Sequence, residues 1–173
     1  MHYPALADAD DDGDMDLFLG ENTYGSTSIA FFIQDDGAFT QQFGDWDGTQ
    51  GNPVNNFSFD SYGSPLFVDL DNDGDLDAIV GRNYKYSSFS SEYENSLAYL
   101  ENTGDFIFEQ KSEIENPFDG ISTKAPEDNQ GDAVPVFLDV DNDGDLDMLL
   151  GSKYDHIIRY YEFDGEKNIL VQQ

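Results

Sequence analysis

The sequence predicts an all-β chain built from three copies of one four-stranded unit. An acidic nine-residue loop occurs three times in the 173 residues, each time between a proline-led apolar run and an apolar run that ends in glycine. No segment keeps the apolar spacing of an amphipathic helix over several turns. Because the same order of features returns with each loop, we interpret the chain as a repeat array.

The first two strands of each unit are predicted on either side of the acidic loop. Short runs of Val, Ile, Leu and Phe bounded by Gly and Asp are typical of strands. The first strands are predicted at residues 4–7, 65–68 and 135–138, and the second strands at residues 17–20, 78–81 and 148–151. In every copy the closing glycine follows the first aspartate of the loop by twelve residues, so the three copies share one alignment.

A second hairpin completes each unit. Its strands are predicted at residues 29–33 and 38–43, then 97–100 and 106–108, then 157–163 and 169–171. The turns between them are Asp36-Gly37, Asn102-Thr103-Gly104 and Asp164-Gly165. Asp-Gly between two apolar runs is a strong hairpin signal. A repeated four-stranded antiparallel sheet of this size is typical of the blades of a β-propeller.

The predicted organisation is a single repeat array over residues 1–173. Blade 1 covers residues 1–43, blade 2 covers residues 63–109 and blade 3 covers residues 133–173. Three segments that differ in length between the copies are predicted to be insertions that form loops on the rim. These insertions are residues 44–62, 82–95 and 110–132.

The acidic loops have the pattern of cation-binding loops, with aspartate at positions 1, 3, 5, 7 and 9 and glycine at position 6. The aspartates are Asp8, Asp10, Asp12, Asp14 and Asp16; Asp69, Asp71, Asp73, Asp75 and Asp77; and Asp139, Asp141, Asp143, Asp145 and Asp147. Carboxylates this close repel one another unless a cation neutralises them. The glycine permits a sharp reversal that turns the position-7 carbonyl inward. A solvated acidic turn without metal is the alternative.

Calcium is the predicted ion, with one site in each of the three loops. Oxygen ligation by about five protein groups favours Ca²⁺ over Mg²⁺, which demands more regular geometry. Zinc and other transition metals prefer nitrogen or sulfur, and the chain has no cysteine and only His2 and His156. An EF-hand would need a glutamate at position 12, where the chain has Leu19, Val80 and Leu150, and a helix after the loop.

The residues around the second and third loops resemble a known repeat family. The string Pro-x-Phe-x-Asp-x-Asp-x-Asp-Gly-Asp-x-Asp, followed by glycine, is similar to the FG-GAP/VCBS repeat of integrin-α-like β-propellers and occupies residues 65–81 and 135–151. The Asn102-Thr103-Gly104 turn is similar to the second hairpin of that repeat, whereas the first copy departs from the motif at Leu6 and Asp11.

The resemblance implies a fold and a function. It implies calcium ligands at loop positions 1, 3, 5, 7 and 9, with position 7 acting through its carbonyl, and a propeller of about seven blades. It also implies an extracellular role in adhesion, carbohydrate recognition or scaffolding. An extracellular or cell-surface location is therefore expected, although the first residues carry no signal peptide.

The charge of the chain excludes several kinds of partner. With 37 Asp and Glu against 7 Lys and Arg, the formal net charge is −30. Nucleic-acid phosphates and anionic lipids repel such a surface, so neither nucleic-acid binding nor membrane insertion is predicted. The longest apolar run has five residues, which is too short for a transmembrane helix. The 38% of hydrophobic residues nevertheless predicts a folded core.

Three blades are too few to close a propeller, which needs roughly four to eight. The apolar faces of the first and third blades would then be bare. Two interpretations stay open at this point. Either neighbouring blades of a longer chain cover these faces, or copies of the chain self-associate into a ring or a filament.

Aromatic residues in the insertions are the candidates for a surface that binds a glycan or a protein partner. They are Trp46, Tyr84, Tyr86, Phe89 and Tyr93. The alternative is that the four rings of residues 84–93 pack onto the rim of their own blade and that Trp46 fills the core between neighbouring blades. Asn56, in Asn56-Phe57-Ser58, is the candidate glycosylation site. Because the motifs of hydrolases, kinases and metalloproteases are all missing from the sequence, no enzymatic activity is predicted.

The sequence therefore predicts a calcium-binding extracellular β-propeller repeat module that acts as an adhesion or assembly scaffold. Two alternatives remain at this stage. One is a lectin-like carbohydrate-binding module that uses the aromatic insertions. The other is a non-catalytic segment of a larger secreted protein or enzyme.

Overall fold

The structure, a computed structural model, describes residues 3–20, 29–45, 47, 51–57, 59, 63–82, 96–112, 115–123, 132–152, 156–164 and 169–172. In these residues the regular structure consists of β-strands. The strands are β1 Tyr3–Ala7, β2 Asp16–Gly20, β3 Ile29–Asp35, β4 Ala38–Gln42, β5 Gly63–Val68, β6 Asp77–Arg82, β7 Leu97–Asn102, β8 Phe108–Lys111, β9 Ala133–Leu138, β10 Asp147–Ser152, β11 Ile158–Asp164 and β12 Ile169–Gln172. Nowhere in these ranges is there a helix with the length and hydrophobicity needed to span a membrane.

The strands form three antiparallel sheets, each with its four strands in chain order. Sheet 1 contains β1–β4, sheet 2 contains β5–β8 and sheet 3 contains β9–β12. The all-β prediction is therefore confirmed. Sheet 2 packs on both sheet 1 and sheet 3, and the described strands do not close into a ring.

The turns of the second hairpins explain where the last strand of a sheet begins. Asp36 and Gly37 both have positive φ, at 49° and 82°, as a two-residue hairpin between β3 and β4 requires. In sheet 2 the turn is longer, and Phe106 has a φ of 54°. Its ring packs 5.9 Å from that of Phe67. The fourth strand of sheet 2 therefore begins at Phe108, two residues later than predicted.

Aromatic side chains fill the space between sheets 1 and 2. Phe18 on β2 is fully buried, and its ring centroid lies 4.5 Å from that of Phe31 on β3 and 4.4 Å from that of Phe67 on β5. A second core between sheets 2 and 3 contains Ile79, Leu97 and Met148. Sheets 1 and 3 therefore each contribute one face to a core that they share with sheet 2, and sheet 2 contributes both of its faces.

The closing glycines allow the sheets to approach each other at backbone distance. A Cβ atom added to Gly20 would overlap the carbonyl oxygen of Gly63, and one added to Gly81 would overlap the carbonyl oxygen of Ala133. The leading proline of the next sheet lies beside the same point, with Cδ of Pro65 and of Pro135 at 3.2 and 3.4 Å from these Cβ positions. The glycine of one repeat and the proline of the next are therefore two sides of one contact.

Two of the predicted rim insertions contribute to these cores. Asn52 and Asn116 each precede a proline, and each side-chain oxygen accepts a hydrogen bond from the N–H two residues later, at 3.0 and 2.9 Å. The turn buries Val54 and Phe59 at the sheet 1–sheet 2 core, and Phe118 at the sheet 2–sheet 3 core. The structure therefore differs here from the predicted rim loops, because the same Asn-Pro turn directs apolar side chains inward.

Candidate metal centre

The three acidic loops adopt the same turn. In each loop the N–H of the position-6 glycine donates a hydrogen bond to Oδ2 of the position-1 aspartate. The distances are 3.0 Å from Gly13 to Asp8, 3.2 Å from Gly74 to Asp69 and 3.2 Å from Gly144 to Asp139. This bond closes the loop, and it occupies one oxygen of the first carboxylate.

Two positions in every loop have positive φ. At position 6 the glycines have φ of 93°, 101° and 101°, a region that glycine enters without a steric cost. At position 4 the residues are Asp11, Asn72 and Asn142, with φ of 58°, 60° and 65°. Asn and Asp tolerate the left-handed region better than other side chains. Asp11, where the first copy departs from the repeat motif, therefore supports the same turn as the asparagines.

Each loop brings three carboxylates together. One oxygen from each member lies within 4.8 Å of the others. The clusters are Asp8, Asp10 and Asp16; Asp69, Asp71 and Asp73; and Asp139, Asp141 and Asp143. Ligand oxygens lie 2.3–2.6 Å from a bound Ca²⁺, so two of them can be at most about 5 Å apart. The separations therefore fit shared coordination of one ion.

Three carboxylate oxygens of the loops are left without a hydrogen bond by the part of the chain that the structure describes. Oδ1 of Asp8, Asp10 and Asp69 is shielded from solvent and forms no hydrogen bond with the described residues. A shielded carboxylate oxygen is costly unless a cation or a donor compensates it. Their chemistry is that of hard oxygen ligands, which Ca²⁺ and Mg²⁺ prefer over transition metals. The residues present therefore fit a divalent cation.

The carboxylates also repel one another. Two unit charges about 4 Å apart near a protein surface interact by about 4 kcal/mol. Burial and the neighbouring Asp12 raise the pKa of Asp10, and burial and the neighbouring Asp73 raise the pKa of Asp71. A cation bound between these carboxylates would offset both the burial and the repulsion.

The position-9 aspartates connect each loop to the sheet. Asp16, Asp77 and Asp147 are buried, and each accepts a hydrogen bond from the position-2 N–H, at 3.0, 3.2 and 3.1 Å. Asp16 and Asp77 also accept a bond from the N–H at the end of the third strand, from Gln34 at 2.8 Å and from Asn102 at 2.9 Å. Position 9 therefore joins the loop to the second and third strands.

A tyrosine hydroxyl completes this arrangement in sheets 2 and 3. Tyr99 donates to Oδ2 of Asp77 at 3.0 Å, and Tyr160 donates to Oδ2 of Asp147 at 2.9 Å. Burial raises the pKa of Asp77 to about 6, against the hydrogen bonds that favour its charged form. Burial and the adjacent carboxylate raise the pKa of both tyrosines, so their hydroxyls stay protonated and donate.

The loop motif did not indicate these tyrosines, and the predicted Asn102-Thr103-Gly104 turn did not indicate that Asn102 bonds to the loop. The side-chain oxygen of Asn102 accepts a bond from the N–H of Gly104 at 3.0 Å, and its amide donates to the carbonyl of Leu76 at 3.1 Å. The sequence signal for the tyrosines is an aromatic residue two positions after the start of each third strand. In sheet 1 this residue is Phe31. Phenylalanine has no hydroxyl, so sheet 1 cannot form the tyrosine–aspartate bond.

The structure brings together some of the predicted ligands and not others. Positions 1 and 3 belong to every carboxylate cluster, position 5 joins them in the second and third loops, and position 9 joins them in the first. The position-7 aspartates are in no carboxylate cluster among the described residues, and their role through the carbonyl stays a prediction. Their N–H groups donate to the position-5 carboxylates at 2.8–2.9 Å.

The remaining candidates are the aromatic residues of the insertions and the glycosylation site. Trp46, Tyr84, Tyr86, Phe89 and Tyr93 lie outside the described residues. Asn56 lies in the turn after Asn52 and is exposed. Glycosylation at this position stays a prediction, as does any role of the aromatic residues in binding a partner.

No protein-family model, curated protein sequence or solved structure matches this chain. The likeness to FG-GAP/VCBS repeats therefore remains a prediction from the loop motif. The repeated turn, the carboxylate clusters and the shielded oxygens support a metal centre independently of that likeness.

Substitution of two aspartates of one loop should separate the structural from the metal-binding role. Asp77→Ala should lower the free energy of unfolding by about 2 kcal/mol even when calcium is removed, because two backbone N–H groups and a tyrosine hydroxyl lose their acceptor. Asp73 is exposed, so the destabilisation caused by Asp73→Ala should become smaller as the calcium concentration is lowered. Urea denaturation at stepped calcium concentrations measures both, and parallel losses for the two variants would contradict this division.

Proposed function

We propose that this chain is a calcium-stabilised, β-propeller-type repeat module that works outside the cell as a non-catalytic adhesion or assembly scaffold. The observation that carries the proposal is the repeated cluster of three aspartates at the junction of the first two strands of each sheet. The same loop with the same hydrogen bonds occurs three times, which a chance acidic turn would not produce.

Calcium is favoured over magnesium by the irregular arrangement of the ligands. The loop offers carboxylates on a tight turn rather than six octahedral positions, and Mg²⁺ keeps most of its water in such sites. When bound, a calcium ion supplies the positive charge that offsets the shielded oxygens of Asp8, Asp10 and Asp69. Calcium of order 10⁻³ M is typical of the extracellular medium, where sites with a Kd near 10⁻⁵ M would be filled.

A bound ion would stiffen each sheet, because the residues of the loop are connected to several strands. The position-1 aspartate follows the first strand of the sheet, and the position-9 aspartate begins the second. Position 9 also bonds to the third strand in sheets 1 and 2. A loop held in this conformation therefore connects three strands, and the repeated sheets become a stiff array on which the insertions are displayed.

The decisive experiment is a count of bound ions. Isothermal titration with Ca²⁺ and elemental analysis should find three ions per chain, and Asp73→Ala and Asp143→Ala should each retain two. Asp35→Ala, which removes an exposed carboxylate outside the loops, is the matched control and should keep three. Mg²⁺ at the same concentration should displace little calcium. A chain that binds no calcium, or a count that Asp73→Ala leaves unchanged, refutes the proposal.

A further inference from the structure

The chain builds the same inter-sheet contact twice. We call the side of a sheet that carries its closing glycine the glycine face, and the opposite side, which carries the leading proline, the proline face. The glycine face of sheet 1 packs on the proline face of sheet 2, where Gly20 meets Gly63 and Pro65. The glycine face of sheet 2 packs on the proline face of sheet 3 in the same way, where Gly81 meets Ala133 and Pro135.

The glycine face of sheet 3 has the same parts but is open. The residue that pairs with the closing glycine on the third strand is Ile29 in sheet 1, Leu97 in sheet 2 and Ile158 in sheet 3. Ile29 and Leu97 are 3% and 0% exposed, whereas Ile158 is 75% exposed. Among the described residues, a Cβ atom added to Gly151 would meet only the carbonyl oxygen of Val134 in its own sheet, at 3.7 Å.

Further apolar side chains extend this open face along β9. Val134, Val136 and Leu138 alternate with Ala133, Pro135 and Phe137 and therefore point to the opposite side of the strand. Ala133 and Phe137 belong to the core between sheets 2 and 3, so their side of β9 faces sheet 2. The two valines and the leucine on the other side are exposed. Sheet 3 thus presents a contiguous apolar surface where sheets 1 and 2 each present a buried one.

The proline face of sheet 1 is open in a complementary way. Pro4 corresponds to Pro65 and Pro135, which are buried, yet Pro4 is exposed. Leu6 stands where sheets 2 and 3 have Phe67 and Phe137, and it is 58% exposed. The described chain therefore carries one free glycine face at sheet 3 and one free proline face at sheet 1.

We propose that the glycine face of sheet 3 docks the proline face of sheet 1 of a second copy of this chain, head to tail. The occupant follows from continuity with the two inter-sheet contacts that the chain already makes, since β1 of a second copy supplies the leading proline at the required place. The contact is heterologous, so it generates a ring if the rotation closes and a filament if it does not. The proposal gives a partner to the proposed assembly role, but it does not depend on calcium in the loops.

The charge of the chain predicts how docking responds to salt. Each copy has a formal charge of −30, so two copies repel at low ionic strength. The docking faces themselves are apolar. Association should therefore strengthen as sodium chloride is raised, opposite to the response expected of a contact held by ion pairs.

Two variants block one face each. In Gly151→Val the added Cβ atom makes only an ordinary contact with the described residues of its own sheet, but by analogy with Gly20 and Gly81 it would overlap the backbone of a docked first strand. Leu6→Asp places a charge at the exposed centre of the proline face. Ile107→Ser is the matched control, because Ile107 is an exposed apolar residue in the turn before β8, away from both faces.

Sedimentation velocity over a range of protein concentrations tests the proposal. The 173-residue chain and Ile107→Ser should form assemblies larger than a monomer, and Gly151→Val and Leu6→Asp should each be monomeric. An equimolar mixture of the two blocked variants should form a dimer and nothing larger, because each retains the face that the other has lost. A monomeric unsubstituted chain, assembly of either variant alone, or a monomeric mixture would each overturn the proposal.

A parallel measurement separates this proposal from the proposed function. Both blocked variants should keep the circular dichroism spectrum of the unsubstituted chain and bind three calcium ions. Assembly without calcium binding would refute the metal sites and leave the docking intact. Three bound ions on a chain that stays monomeric would refute the docking and leave the metal sites intact.

Discussion

Removal of calcium should lower the free energy of unfolding of this chain by about 8 kcal/mol. At a calcium concentration of order 10⁻³ M and a site Kd near 10⁻⁵ M, each of the three sites adds about 2.7 kcal/mol. Domains are typically stable by 5–15 kcal/mol, so the loss is comparable to the whole stability of the fold. EDTA should therefore lower the melting temperature sharply.

The loops make this effect large because their repulsion acts in the folded state. Without a cation, the three clusters keep carboxylate oxygens within 4.8 Å of one another, and oxygens of Asp8, Asp10 and Asp69 stay shielded from water. Unfolding relieves both penalties by separating and hydrating the charges. Calcium binds only the folded chain, because the unfolded chain does not present the clustered oxygens. Its binding therefore stabilises the folded state.

Differential scanning calorimetry with calcium, with EDTA, and with EDTA plus sodium chloride at matched ionic strength measures this effect. The salt control is needed because screening alone stabilises a chain with a net charge of −30. The calcium response should exceed the salt response, and in Asp73→Ala it should fall by about one third. Melting curves that coincide with and without calcium would falsify the prediction.

The sequence predicted the sheets well where the signal is local. The apolar runs, the Asp36-Gly37 turn and the spacing of the loops each involve neighbouring residues, and the strands begin and end close to the predicted positions. The close approach of aspartates within each loop could be predicted for the same reason, since alternate carboxylates and a position-6 glycine are local features. Local signals failed at the fourth strand of sheet 2, which begins later than predicted. Phe106 packs in the core against Phe67 of another strand, a contact that neighbouring residues do not reveal.

The features that the sequence did not predict depend on contacts between distant segments. The bond from Tyr99 to Asp77 spans 22 residues, and the role of the Asn-Pro turns appears only when their side chains meet two sheets. The sequence marks the closing glycines only as the ends of strands. Their physical cause is the backbone of the following sheet, which lies about 40 to 50 residues further along the chain.

Gly81→Ala should therefore destabilise the chain by about 3 kcal/mol or more, whereas Gly151→Ala should leave its stability within about 0.5 kcal/mol. Both glycines close the second strand of a sheet, and neither has positive φ, so alanine fits the backbone conformation at both positions. They differ in what the added methyl group meets. At Gly81 it is the carbonyl oxygen of Ala133, a backbone atom that cannot move aside, and at Gly151 it is an ordinary contact at 3.7 Å.

Urea denaturation at protein concentrations below those of association measures both variants on the monomer. Gly20→Ala should behave like Gly81→Ala, because it meets the carbonyl oxygen of Gly63 in the same manner. Equal midpoints for Gly81→Ala and Gly151→Ala would mean that the sheets tolerate a wider separation than the structure shows. A large difference would mean instead that glycine is required by the approach of the next sheet rather than by the strand itself, and that Gly151 is the position where such an approach remains available.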